Sequence, residues 1–315
     1  MRKNINRIRN ISYRWYGQWI YFNPLISICD FLTSTIFRHS LTARHYLNKY
    51  YYSKAQKIIE SKYVGIIDKW KNVRFISRNI KNDSYIFIFW WQGIDKAPII
   101  IKKCISSIIA HKGKHKIVII DKNNWSRYTS VPDYILKKLN QHKMSVTWFS
   151  DVLRCHLLYD NGGIWIDPTC YMSGNFNDEI YKLPFYSIKH GDAYEFPICK
   201  GDWATFFLAS YKQNPLMGFL CDMFDNYWKN EKIFIVYLSI DLFLAIAYDN
   251  LDYAHKMIEA IPMNNMMRDK LREELIKNKG NNFDHILNSI DSNTYIHKLT
   301  YKMYINFNGQ LQEDK

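Results

Sequence analysis

Residues 150–169 read SDVLRCHLLYDNGGIWIDPT, and the elements they specify set the architecture of the whole chain. Ser150 is a good helix N-cap with Asp151 in the first turn, so the pattern predicts a helix that runs to Tyr159. The pair Gly162-Gly163 ends this helix, because glycine readily takes the left-handed conformation found at helix C-termini. The stretch therefore begins with a short capped helix and then turns back sharply.

A short apolar strand over residues 164–166 follows the glycine turn and ends at Asp167, after which Pro168 prevents further ladder bonding. Asp151 and Arg154 are three residues apart and so share one face of the helix. Because the turn brings the strand back beside the helix, we expect Asp167 to emerge near both. Two carboxylates and a guanidinium suit a sugar nucleotide. The plain alternative is a structural ion pair, with Asp167 as a turn former.

Strands and helices alternate upstream of this stretch. Residues 85–91 form a continuous β-branched and aromatic run, which is typical of a strand buried on both faces. A helix after Pro98, a strand over 116–120, a helix after Pro132 and a third strand over 144–149 follow. This order predicts a parallel sheet wrapped by helices, with ligands at the carboxyl ends of the strands. The residues at those ends are Trp91, Gln92, Asp121, Ser150 and Asp151.

Residues 1–80 read as helical, so we divide the chain into an N-terminal helical region, 1–80, and a main domain, 81–315, with a helical C-terminal part. Basic residues between Arg2 and Arg14 alternate with isoleucine, tryptophan and tyrosine. Such a segment either lies on an anionic membrane surface or packs as a helix on the core, and the N-terminal region is a candidate for contact with the membrane surface or the acceptor.

The composition is that of a folded protein: 48% of the 315 residues are hydrophobic and 17% are aromatic. A net charge of +14 favours anionic partners or a solvated lysine surface, but no nucleic-acid-binding module is recognised. The six cysteines have no metal or redox spacing, which indicates reduced thiols in a cytoplasmic protein. The longest apolar run, 233–248, carries Asp241 and is shorter than the roughly 20 residues that span a bilayer. Membrane contact, if present, is therefore peripheral, at the inner face of the cell membrane.

The 150–167 stretch resembles the core motif of the DXD-containing sugar transferases with the GT-A fold. Within that superfamily it is most similar to the bacterial capsular polysaccharide synthesis proteins of glycosyltransferase family 32. Trp90-Trp91-Gln92-Gly93, Ala97-Pro98 and Lys298-Leu299-Thr300-Tyr301-Lys302 also resemble this group. The resemblance implies a GT-A-type, mainly parallel mixed sheet flanked by helices, with helical additions at both ends.

The resemblance further implies a retaining glycosyltransferase. Its donor would be a nucleotide-sugar, a UDP-sugar carrying a hexose, and its acceptor a polyprenyl-diphosphate-linked capsule or surface polysaccharide intermediate, joined by an α-linkage. Trp91 and Gln92 would face the nucleobase, Asp151 and Arg154 the ribose and donor sugar, and Asp167 the ribose, phosphates or metal. The full set of expected nucleotide-sugar contacts is Trp90, Trp91, Gln92, Asp121, Ser150, Asp151, Arg154, Gly163, Asp167, Trp203, His297, Lys298 and Lys302.

One position departs from the family pattern. The motif usually ends in a second Asp that binds Mn²⁺ or Mg²⁺, and this chain has Thr169 there, a weak neutral ligand for a hard dication. Asp167 would then be the only metal ligand of the motif, and we expect metal dependence to be reduced or absent. His297, Lys298 and Lys302 are either cations that stabilise the departing diphosphate or a solvated basic tail.

Four further residues are candidates. Trp203 either lines the sugar pocket or belongs to the core. Asp241, surrounded by apolar residues, needs a partner and is either a buried network residue or a catalytic group near the donor sugar. His190 and Asp192 lie in a predicted loop that could meet the acceptor. The alternative functions are a non-catalytic nucleotide-sugar-binding or scaffolding protein of the capsule machinery, and a sugar-phosphate transferase.

Overall fold

The computed structural model describes residue 12 and residues 14–307, and its centre is a mixed β-sheet. In this part of the chain the sheet has five strands in the order β2-β1-β3-β6-β5. A separate pair, β4 and β7, lies outside it. The strands are β1 (Tyr85–Phe89), β2 (Lys116–Ile120), β3 (Gly163–Ile166), β4 (Cys170–Met172), β5 (Phe185–Ser187), β6 (Phe207–Ser210) and β7 (Ile296–Lys298).

The direction of the strands confirms the predicted fold class. β1 pairs in parallel with β2 on one side and with β3 on the other. β6 runs antiparallel to both β3 and β5, so it alone among these described strands points the opposite way. Because β1 and β3 are buried by helices on both faces, their sequences are continuously apolar rather than alternating. The result is the mixed, mainly parallel sheet flanked by helices that the resemblance implied.

Helices cover both faces of the sheet and extend from it at both ends of the chain. The first, α1, is described over residues 14–21. The others are α2 (Pro24–Ser34), α3 (Leu41–Lys62), α4 (Val64–Lys71), α5 (Ile99–Ala110), α6 (Asp133–Asn140), α7 (Val146–Asn161), α8 (Pro215–Asn230), α9 (Ser239–Asn250), α10 (Asp252–Glu259), α11 (Lys270–Lys277) and α12 (Phe283–Asn288). No helix in the described residues is long and apolar enough to cross a membrane.

The prediction of a strand over 144–149 was wrong. α7 begins at Val146, and the N-cap is Ser145, whose hydroxyl accepts a hydrogen bond from the Trp148 backbone N–H at 3.2 Å. Ser150 therefore caps nothing, and Asp151 lies in the second turn rather than the first. Apolar and polar residues alternate from Met144 to Trp148, as in a half-buried strand, but they form the start of a helix whose buried part runs from Phe149 to Leu158.

The N-terminal region is helical, as predicted, over its described residues. Buried side chains recur every fourth residue along α3 and into α4, which places them on one face. This face joins the same hydrophobic core as the sheet. Its members are Tyr51, Ala55, Ile59, Tyr63 and Ile67. Residues 1–11, which include four of the five basic residues of the predicted membrane-surface segment, lie outside the described residues.

Candidate active site

Asp167 leaves the carboxyl end of β3 and has both of its carboxylate oxygens engaged. Oδ1 accepts a hydrogen bond from the Trp165 indole N–H at 2.9 Å, and Oδ2 accepts one from the Lys298 ammonium at 2.6 Å. Trp165 and Asp167 are two residues apart, so their side chains point to the same side of the strand. The backbone N–H of Asp167 donates to the Phe206 carbonyl at 2.8 Å, which continues the β3–β6 pairing and fixes the chain there.

The small β4–β7 sheet delivers Lys298 to this carboxylate. β4 starts three residues after Asp167, and its first residue, Cys170, is paired with Lys298 in the antiparallel register. The Lys298 ammonium also lies 4.8 Å from the centre of the Phe206 ring. A residue near the C-terminus is thereby held 2.6 Å from the tip of a central strand.

Asp151 and Arg154 lie on one face of α7, as their spacing predicted, and they form an ion pair of 3.0 Å. The same guanidinium nitrogen is 3.7 Å from Asp167 Oδ1. Arg154 is buried, stacks 4.9 Å above the Trp165 ring, and donates to the Thr205 backbone carbonyl. Arg154 therefore bridges the helix and the strand tip, so the predicted meeting of the three charged residues is present.

Asp241 joins this cluster from α9. Its Oδ1 accepts a hydrogen bond from the Trp203 indole N–H at 3.0 Å, and both side chains are buried. Burial raises the pKa of Asp241 to about 7, and the nearby carboxylate of Asp151 adds to this increase. The partner expected for a carboxylate in such an apolar setting is thus Trp203.

The pKa values of the two other carboxyl groups, Asp151 and Asp167, are shifted in opposite directions. Burial raises the pKa of Asp151 to about 6, although the Arg154 charge opposes the increase. Burial also acts to raise the pKa of Asp167, but the charges of Lys298 and Arg154 outweigh it and lower that pKa. Near neutral pH, Asp167 is consequently ionised, whereas Asp151 and Asp241 titrate between about pH 6 and pH 7.

Aromatic side chains line the neighbouring strand ends. The Phe149 ring makes edge-on contacts with two indole rings. The ring centres of Phe149 and Trp91 are 5.7 Å apart, and those of Phe149 and Trp125 are 5.6 Å apart. Trp90 contacts Tyr301 at 5.8 Å, and its buried indole N–H has no hydrogen-bond partner among the described residues. Gln92 is exposed. The structure thus places flat aromatic surfaces beside the charged cluster.

Asp121 follows β2 and forms hydrogen bonds within the loop that begins there. Its carboxylate accepts hydrogen bonds from the backbone N–H groups of Asn123 and Asn124. Ser150 lies one turn before Arg154 on α7, and its hydroxyl is 3.4 Å from the guanidinium.

Several predicted contacts do not gather at this cluster. Gly163 is the first residue of β3, at the opposite end of the strand from Asp167. Lys302 is exposed in the turn after β7. His190 accepts a hydrogen bond from the Asp192 N–H within its own loop. His297 is buried beside Ser173, and burial lowers its pKa to about 4, so it is neutral near pH 7 and does not supply the expected positive charge.

Sequence reasoning missed three residues of the site. Trp165 could have been found, because it alternates with Asp167 along a strand. The Thr205 carbonyl and the Phe206 ring lie on the loop before β6, and only the sheet topology brings them to Asp167.

The donor set does not fit a divalent cation. Both Asp167 oxygens are already bonded to cationic or N–H donors, and the Thr169 position offers no second carboxylate. Within residues 12 and 14–307, no three His, Cys, Asp or Glu side chains are grouped so that they could hold a metal ion. The Lys298 ammonium lies against the carboxylate that would bind the metal in a complete motif.

Comparison with known proteins gives one family. A solved structure titled "PaToxG Glycosyltransferase" is similar over 78% of this chain and 91% of that chain, with 18% sequence identity and a TM-score of 0.41. A TM-score of that size adds nothing to the assignment. No curated protein matches the chain. A family model described as capsular polysaccharide synthesis protein matches residues 35–313, in agreement with the resemblance read from the motif. Because this match covers most of the sequence, the chain belongs to the capsular polysaccharide synthesis protein family.

Proposed function

We propose that this protein is a retaining glycosyltransferase that moves a hexose from a nucleotide-sugar, a UDP-sugar, to a lipid-linked intermediate of capsule or surface polysaccharide. The observation that carries the proposal is the cluster of the buried Asp151 and Arg154 with the partly buried Asp167 and Lys298, at the carboxyl ends of the parallel strands of the sheet. Open α/β sheets bind ligands at this edge. Membership of a capsule synthesis family supports a saccharide acceptor.

The parts of the donor would be bound by different groups. The Trp91 face and the unpartnered Trp90 indole N–H suit a nucleobase, which needs both stacking and hydrogen bonding. Asp151 and Asp241 suit sugar hydroxyls, because carboxyl groups that titrate near neutrality can donate as well as accept. Arg154 and Lys298 supply two positive charges for the diphosphate.

We further propose that Lys298 takes over the electrostatic role of a divalent cation. An ammonium group 2.6 Å from Asp167 is anchored by the carboxylate and still has N–H donors for a phosphate oxygen. Charge that develops on the leaving diphosphate is best stabilised by such preorganised donors. Transfer should therefore continue in EDTA.

We propose the following reaction at this site. The acceptor hydroxyl oxygen attacks the anomeric carbon while the bond from that carbon to the β-phosphate oxygen breaks. The nucleoside diphosphate leaves, and one of its oxygens takes the acceptor's proton. Attack on the face from which the diphosphate departs retains the configuration and gives an α-linkage without a covalent enzyme intermediate. Lys298 and Arg154 hold the leaving group in place during this exchange.

The test compares two carboxamide variants with a matched control. Asp151→Asn and Asp167→Asn should each reduce transfer at least about 100-fold, because each removes a preorganised charge from the site. The exposed Asp83→Asn, which precedes the amino end of β1, should leave the rate unchanged. Circular dichroism and thermal midpoints confirm that all three variants are folded.

Wild-type rates in both site variants would contradict the assignment of the site. Loss of activity in EDTA with recovery on addition of Mn²⁺ would contradict the role given to Lys298. A panel of UDP-, GDP- and CDP-sugars, assayed for binding and slow hydrolysis, identifies the nucleotide and the sugar.

Thr169 favours one other reading, because a site without its second motif Asp also fits a non-catalytic scaffold of the capsule machinery. Calorimetry separates the two: a transferase binds UDP and hydrolyses a UDP-sugar, whereas a scaffold does not turn the donor over. The released nucleotide distinguishes a third possibility, since a sugar-phosphate transferase releases UMP instead of UDP.

A further inference from the structure

A surface at the N-terminal end of the protein exposes large apolar side chains. Nearly half of the exposed large apolar residues in the described part of the chain lie between residues 16 and 50. On α1 and α2 they are 40–65% exposed and occupy the outward side of both helices. We call this surface the N-terminal apolar face: it consists of Tyr16, Trp19, Ile20, Leu25, Ile28 and Phe31.

α1 and α2 form a helical hairpin, so their outward sides make one continuous surface. The Trp15 and Phe31 rings meet edge-on at 4.8 Å, and the Ser27 hydroxyl donates to the Trp15 carbonyl at 2.7 Å. The exposed residues of α1 recur at three and four positions, and those of α2 recur every third position. Contiguous apolar surface of this kind marks an interaction site.

The exposed side of α2 is apolar, unlike that of an ordinary surface helix. Leu25, Ile28 and Phe31 point to solvent, whereas the buried side carries the apolar Ile26 and Cys29 together with the polar Ser27 and Asp30. Asp30 is satisfied inside by the Arg14 guanidinium at 2.7 Å and by the Gln18 amide at 3.1 Å. A surface helix normally presents its polar side to water, so the outer side of α2 is suited to an apolar medium.

The charge of this region indicates which apolar medium. Residues 1–50 contain eight Lys and Arg residues and a single acidic residue, Asp30, which is buried and paired. Arg38, Arg44 and Lys49 continue the basic character beyond α2. A basic stretch of sequence that also carries exposed aromatic and aliphatic side chains matches the anionic headgroups and the acyl boundary of a bilayer.

The face is also close to the charged cluster. Gln18 on α1 donates to the Ile235 carbonyl at 2.9 Å, and Arg14 lies 5.9 Å from the Tyr237 ring centre. These contacts hold α1 against the segment that leads directly into α9 and Asp241. Tyr237 lies on this segment, four residues before Asp241, so the segment connects the contacts of α1 with the charged cluster.

We propose that the N-terminal apolar face docks the protein on an anionic lipid bilayer and thereby holds the site beside the membrane. That docking would bring the site close to a lipid-linked acceptor rests on the proposed function, but membrane docking itself does not. Tyr16, Trp19 and Ile20 enter the headgroup region together with the outer side of α2, while the basic residues contact lipid phosphates.

The experiment is co-sedimentation of the full chain with two kinds of vesicle, phosphatidylcholine alone and phosphatidylcholine mixed with phosphatidylglycerol. The wild type should bind the anionic vesicles and be released by high salt. Replacement of Trp19, Ile20 and Ile28 by Ser should lower the partition coefficient at least about tenfold, because each side chain loses its apolar burial. The control is Ile276→Ser combined with Met266→Ser, two apolar residues that are at least as exposed and lie elsewhere on the surface, and it should bind as the wild type does.

Three outcomes would overturn the proposal. The first is a wild type that fails to bind anionic vesicles, and the second is a triple variant that binds as well as the control. The third is a concentration-dependent dimer that the triple substitution disrupts in the absence of lipid, which would assign the face to a second copy of the chain. Donor hydrolysis in solution keeps this test separate from the proposed function, since the triple variant should hydrolyse the UDP-sugar normally.

Discussion

The carboxyl groups of the site differ in pKa because their neighbours differ. All three are drawn toward protonation by burial, but Asp167 is bonded to Lys298 and stays ionised. Asp151 is paired with Arg154, a cation that also lies near Asp167, and Asp241 has a neutral indole partner, Trp203. Titratable groups whose environments separate their pKa values in this way are typical of binding and catalytic sites.

The raised pKa of Asp241 predicts a cost to stability that Asp241→Asn should remove. Because the folded pKa of about 7 is above that of an unfolded aspartate, the unfolded chain binds fewer protons over the interval between. The wild type therefore loses stability as the pH rises from about 4 to about 7. The asparagine variant keeps the Trp203 hydrogen bond and avoids this loss, with a gain on the order of 1–4 kcal/mol at pH 8.

Urea denaturation of both proteins at several pH values from about pH 4.5 to about pH 8 measures the difference in their free energies of unfolding. The gap between variant and wild type should widen with pH and level off above about pH 7. Donor turnover should fall in the same variant, because functional sites commonly sacrifice stability for activity. A gap that is constant with pH would show that Asp241 is not a strained, buried acid.

At this scale the sequence predicted contacts that are close along the chain and missed those that are not. Asp151, Arg154 and Asp167 are joined by one helix, one turn and one strand, so their meeting follows from local geometry. The bond between Asp167 and Lys298 crosses 131 positions, and it depends on the β4–β7 pairing, which has no local signal. Trp203 and Asp241 were both candidates, but their hydrogen bond was not foreseeable.

At the level of secondary-structure elements, the sequence predicted the bounds of β3 correctly but not the start of α7. β3 was placed correctly, because glycines before it and Asp-Pro after it define both ends. The start of α7 was misjudged, since residues 146–149 are β-branched and aromatic and no glycine or proline precedes them closely. The error moved the helix N-terminus away from Asp151, so the helix dipole gives this carboxylate less support than expected.

The turn between α7 and β3 predicts a severe effect for Gly163→Ala. Gly163 has a φ of 104°, and an added Cβ would lie 2.4 Å from the Tyr85 carbonyl oxygen of β1. Both the backbone conformation and the close approach of the strands exclude a side chain, so we expect a loss of about 2–5 kcal/mol. Urea unfolding monitored by far-UV circular dichroism gives the value.

The matched control for this substitution is Gly65→Ala in α4. An added Cβ there meets nothing within 4 Å, and the change should be neutral or stabilise the protein by at most about 1 kcal/mol. Equal effects of the two alanines would mean that β3 does not need a glycine to approach β1. Gly163 would then act by contacting the nucleotide-sugar, as its place in the sequence motif predicted.

At the scale of the whole molecule, the N-terminal helices share their interior with the α8 and α9 side of the sheet domain. The Tyr63 hydroxyl donates to the buried Glu231 carboxylate at 2.8 Å, and the Trp70 indole N–H donates to Asp222 at 2.8 Å. Ile59 is fully buried in the common core. A separately folding unit over residues 1–80 would have to expose this face, so we expect the two predicted domains to unfold together.

The last prediction tests that expectation with Ile59→Ala. Truncation of a fully buried isoleucine should cost about 2–4 kcal/mol, and the cost should fall on the entire molecule rather than on α3 alone. Scanning calorimetry should show one transition at a lower temperature, and hydrogen exchange should report equal losses of protection for the slowest amides of α3 and of β1. Lys57→Ala, exposed on the same helix, should change both readings by less than about 0.5 kcal/mol. Loss of protection confined to α3, with β1 unaffected, would instead place a true domain boundary near residue 80, and the membrane-facing helices would then be a detachable module.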